Sequence, residues 1–120
     1  MIGEPLEFVN PNGIVPGYKL LRVRKDGTLG PLFINRRQVI EPRVWYQAEE
    51  HPTPGFAFRP GWHVMSDQYA PHLKLTLANG ERREWWRVAI SDFTIERRPL
   101  SQGGTWFLAR HMMVVSRCPR

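Results

Sequence analysis

The chain has 120 residues, is 42% hydrophobic and 12% aromatic, and carries a formal net charge of +6. That length fits one domain with one modest core, and the apolar content excludes wholesale disorder. No apolar run approaches the roughly 18 residues a membrane span needs, so no membrane partner is expected; the basic balance favours an anionic one.

The chain opens with "MIGEPLEFVNPNG", which lacks the basic and apolar regions of a signal peptide. Residues 1–17 are rich in proline and glycine and read as an extended arm. The domain itself is expected over residues 18–116, with 117–120 as a tail. Its first element is "YKLLRVRK" (18–25), a period-two ribbon with Lys19, Leu21 and Val23 on one side. Tyr18, Leu20, Arg22 and Arg24 share the other side, away from the core. Asp26-Gly27 then signals a type I′ turn, and "PLFIN" (31–35) returns as the second strand of a hairpin.

"RRQVIEPRVWYQAEE" (36–50) cannot be one helix, because Pro42 interrupts it, while Val44, Trp45 and Tyr46 favour strand. "HPTPGF" is loop. Pro60-Gly61 suits a type II turn, followed by the short strand "WHVMS" with Trp62 anchored in the core. "HLKLTL" (72–77) alternates and pairs through Asn79-Gly80 with "REWWRVAISDF", a second hairpin. "WFLARHMMVVS" has apolar residues on both faces and reads as a central strand. The expected fold is α+β and predominantly β: a single small domain with a curled antiparallel or mixed sheet of about six short strands and little helix. Leu21, Val23, Phe33, Trp86, Val88, Phe107 and Val115 are its expected core.

Catalytic groupings are missing from the pattern. There is no P-loop, no G-x-S-x-G elbow and no G-x-G-x-x-G. His51, His63 and His72, with Asp67, lack the tight spacing of a zinc site, so no metal is expected. Cys118 is the single cysteine. It has no partner for a disulfide, which points to a reducing compartment, the cytoplasm. The adjacent Glu49 and Glu50 would face opposite ways in a strand and read as solvated charge.

Basic and aromatic residues carry the functional signal. Arginines fall at 22/24, 36/37, 82/83 and 97/98, beside apolar or aromatic neighbours. Guanidinium forks bind phosphate and exposed aromatics stack on planar ligands; alternatively, the same pairs protect strand edges. Of Trp85 and Trp86, one is expected in the core and the other beside Arg87. The expected partner-binding residues are Arg22, Arg24, Arg59, His63, Tyr69 and His72. Arg22, Arg59 and His63 would line a concave positive surface around "GFAFRPGWHV" (55–64), with Tyr69 and His72 at its rim.

The segments "YKLLRVRKDGTLGPLFINR", "HPTPGFAFRPGWHV", "APHLK" and "SQGGTWFLA" resemble a family of small uncharacterised bacteriophage and prophage proteins. The resemblance spans roughly residues 18–110. It implies a viral setting and an accessory role. The arginine pairs and tryptophans then point to nucleic acid or a host nucleic-acid-handling complex as partner, in the host bacterial cytoplasm; an anti-defence role such as an anti-CRISPR protein fits that setting. A second likeness, in strand order and scattered residues, is to ADP-ribosyltransferase-like folds. It implies an NAD or nucleotide-phosphate cofactor, with Arg22 or Arg24 on the early strand and Ser66 or Tyr69 on a following one; Arg22 would clamp a phosphate, His63 orient the ribose or nicotinamide, and Tyr69 stack. Leu100 and Gln102 stand where such folds carry a late glutamate. A structural or assembly part of a virion is the third expectation.

Overall fold

The computed structural model describes residues 13–32, 37–48, 61–70, 72–102 and 104–119. Six strands run through them: β1 (Val15–Val23), β2 (Leu29–Gly30), β3 (Trp45–Gln47), β4 (Trp62–Met65), β5 (Arg82–Arg97) and β6 (Thr105–Arg117). Every pairing is antiparallel. A 3-10 turn at Leu100–Gln102 lies between the two long strands. No helix among the described residues is long and apolar enough to cross a membrane.

The sheet curls until it meets itself. β1 pairs with β5, β5 with β6, β6 with β4, and β4 returns to β1 through Tyr18 and Met65. The ring is therefore a small barrel, with β2 added to the edge of β1 and β3 to the edge of β6. Gly17 permits the closure: a Cβ there would fall on the Cγ1 of Val64, which β-branching holds in place.

Alternation along the strands fills the barrel. Leu21 of β1, Val64 of β4, Val88 and Ile90 of β5, and Ala109, Met112 and Val114 of β6 are all essentially inaccessible. Trp62 is buried in the same cluster, as expected, and its indole N–H donates to the Tyr46 carbonyl at 3.2 Å. β5 and β6 stay in register along most of their length, but Asp92 takes a left-handed backbone conformation (φ 51°). The kink changes the strand's parity, so that Ile90 and Phe93 both reach the core.

Several local expectations are corrected. The first turn is not type I′: Gly27 has positive φ but Asp26 does not, and the Asp26 carboxylate instead accepts from the backbone and hydroxyl of Thr28. The return strand is the two-residue β2, ahead of "PLFIN", of which residues 33–35 lie outside the described residues. Gly80 does make its turn, yet 72–77 is no strand beyond one bridge from Thr76 to Arg82. β5 pairs instead with β1 along one edge, over nine residues, and with β6 from Trp86 onward along the other, the edge on which the Thr76–Arg82 bridge lies. In the expected core, Leu21 and Val88 are central while Val23, Trp86 and Phe107 pack around them. Val115 gives way to Val114, because a register shift pairs Arg87 with Ser116 and Val88 with Val114, leaving Val115 as the extra residue. Phe33 lies outside the described residues. β1 begins at Val15, inside the expected arm, and β6 runs on to Arg117.

Candidate functional site

A strand that fills a barrel with one face presents the other face outward, and the expected site residues belong to that outer face. Trp62 and Val64 point inward, so His63 and Met65 point out. Met65, Ala70 and Trp106 form a second, smaller apolar cluster there, with Leu73 and Trp85 packed against it. Trp86 instead joins the barrel core, so neither of the adjacent tryptophans stands free.

Trp106 organises its surroundings. Its indole N–H donates to the Gln102 carbonyl at 2.6 Å, and the Arg98 guanidinium lies over its ring, 4.9 Å from the centroid. His63 meets the ring edge-on at 5.6 Å and His72 lies tilted at 5.7 Å. Two expected site residues from different parts of the chain thus converge on one indole. Burial, and secondarily the positive charge of Arg98, hold the His72 imidazole below its ordinary pKa. Arg98 is fixed by two donations to Gln102 Oε1, at 3.1 and 2.8 Å, and approaches Glu96 at 3.7 Å. The other expected rim residue, Tyr69, is 53% exposed.

Arg22 and Arg24 have other engagements. Arg24 donates to the carbonyls of Leu29 (2.8 Å) and Gln38 (2.7 Å), which ties the end of β1 to β2 and to the segment that follows it. Its guanidinium lies against Gly30, where any Cβ would displace it. Arg22 sits directly opposite Arg83 in the β1–β5 ladder. Like charges so placed repel, and Glu81 answers both, 3.7 Å from Arg22 and 3.4 Å from Arg83. A phosphate at Arg22 would compete with Glu81 for the same guanidinium. Arg59 and most of "GFAFRPGWHV" lie outside the described residues.

Lys19 lies on the inward side of β1, donates to the His63 carbonyl at 2.7 Å, and stands 5.9 Å from the centre of the Trp62 ring. Burial lowers its pKa from 10.5 to about 8. No group of three or more His, Cys, Asp or Glu residues suited to a metal occurs among the described residues. Cys118 is buried beside the end of β6, its backbone N–H donating to Trp85, and burial raises its thiol pKa.

Of the basic residues that face solvent, Arg37 and Arg82 belong to arginine pairs read from the sequence, but neither they nor Lys25 and Lys74 were among the expected partner-binding residues. Lys25, Arg37, Lys74 and Arg82 are exposed around the end of the barrel where β1 finishes and β5 begins. Arg82 is the ladder partner of Val23, and Lys25 follows two residues later. The Lys74 carbonyl accepts from Arg83, and Arg37 precedes Gln38, the acceptor of Arg24. Strand parity was the available signal: of the neighbours Arg82 and Arg83, one must point each way, and only Arg82 remains exposed. No family model matches the chain, and no match is found among curated proteins or solved structures.

Proposed function

We propose that the chain is a small accessory binding protein of phage type that engages nucleic acid through its cationic surface, in the host bacterial cytoplasm. One observation supports this reading above the others. Nine basic residues are exposed among the described residues: Lys25, Arg37, Arg43, Lys74, Arg82, Arg87, Arg97, Arg110 and Arg117. Only three acidic residues are exposed with them, Asp26, Glu41 and Asp67. Glu81, Glu84 and Glu96 are held in ion pairs with arginines, so the exposed charge among the described residues is mainly positive. A surface of that kind attracts phosphate through long-range steering and counterion release.

A salt titration tests the proposal. The logarithm of the affinity for DNA is expected to fall linearly with the logarithm of the salt concentration. Replacing Lys74 and Arg82 together with alanine should weaken binding while changing stability by no more than about 0.5 kcal/mol, since both are exposed. Absence of binding to DNA and RNA at low salt would refute the nucleic-acid partner and turn the search to acidic proteins of a host complex.

A further inference from the structure

Phosphate backbones and bases are recognised by different side chains. Lys and Arg hold phosphates, whereas single strands are held largely by bases stacked on exposed aromatic rings. Around the β1–β5 end the exposed cations Lys25, Arg37, Lys74 and Arg82 supply the first kind of contact. At the same end, Arg22 and Arg83 face each other in the β1–β5 ladder and both approach the Glu81 carboxylate.

Among the described residues the second kind of contact is scarce. None of the five tryptophans is exposed. Trp62 belongs to the barrel core and Trp106 to the outer cluster, with Trp86 and Trp85 packed against them respectively. Trp45 is half-buried in β3, at the opposite edge of the sheet from β2. The exposed rings among the described residues are Tyr69, in the turn after β4, and the His72 imidazole tilted against Trp106. The last residue of β4, Met65, lies opposite Tyr18 in the middle of β1, away from the cationic end.

Building on the nucleic-acid reading, we infer that this end of the barrel holds the backbone of double-stranded DNA, without stacking of bases on tryptophan and without sequence preference. A duplex carries one charge per ~1.7 Å of axis, about twice the density along either strand. Cations drawn from separate turns therefore meet more phosphates on a duplex than on one flexible strand.

Fluorescence anisotropy with labelled DNA provides the test, using duplexes of two unrelated sequences and an oligothymidine of the same length. Both duplexes should bind alike, with the oligothymidine weaker by roughly tenfold. The salt slope on duplex should be about −3.6 for four phosphate contacts, and less steep by about 1.8 in the Lys74→Ala/Arg82→Ala variant. Tryptophan emission should not change on binding. If oligothymidine binds as tightly as duplex, or tryptophan emission is quenched, the chain binds nucleic acid but this mode is wrong. Failure of every probe at low salt would overturn the nucleic-acid reading, and this inference with it.

Discussion

The inner and outer faces of the barrel are made by the same strands and held by different forces. Inside, Leu21, Val64, Val88, Ile90, Met112 and Val114 fit against one another with almost no exposed area, and their cohesion is that of buried apolar surface. Outside, the contacts are directional: Arg24 on two carbonyls, Glu81 between Arg22 and Arg83, and Arg98 between Gln102 and the ring of Trp106. An arginine on a β-strand can thus be a staple rather than a ligand-binding residue. The inner face needs only volume and alternation, whereas the outer face needs partners placed by loops. Substitutions on the two faces should consequently fail in different ways.

The largest effect is expected inside. Ile90→Ala removes a fully buried side chain and should cost about 2–5 kcal/mol in chemical denaturation, with little dependence on salt. On the outer face, Glu81→Gln leaves Arg22 and Arg83 opposed without their shared carboxylate, and should cost about 2 kcal/mol. That deficit is electrostatic, so it should shrink as salt rises. Equal salt dependence in the two variants would remove the distinction between the faces.

The same division explains what could be read from the sequence. Period-two alternation in "YKLLRV" and the apolar run in "WFLARHMMVV" identified β1 and the central β6, because those patterns report the inner face directly. Alternation in "HLKLTL" was equally clear and misled, since β6 holds the same edge of β5 from Trp86 onward and leaves only the Thr76–Arg82 bridge. The exchange of Val115 for Val114 came from a bulge, which shifts parity without altering composition. His63 and His72 were named as part of one site, and the structure brings both to Trp106. Arg22 and Arg24 were read as available, but a guanidinium's engagements depend on carboxylates and carbonyls distant in sequence, as Gln38 is from Arg24. The residue that lies between Arg22 and Arg83, Glu81, carries no motif at all.

Lys19 gives the finest test of the comparison, because it places a polar group of the outer kind on the inner face. Its amine has the His63 carbonyl and the face of Trp62 for company, and burial lowers its pKa from 10.5 to about 8. Below about pH 8 the amine is charged in both folded and unfolded chains, and the cost of enclosing that charge is fully present. Between about 8 and 10.5 the folded chain loses its proton first, so the unfolded chain binds more protons and stability rises with pH. One proton changes stability by at most about 1.4 kcal/mol per pH unit. Other groups titrate in the same range, so the measurement is the difference between wild type and Lys19→Met. At pH 7 the methionine variant should be at least as stable as wild type, because an apolar chain of similar length replaces an enclosed charge. Its advantage should then shrink as the pH rises from 8 toward 10.5. A difference in Tm that stays constant over that range would mean that the Lys19 amine remains solvated, and that the interior of the barrel is open to water beside Trp62.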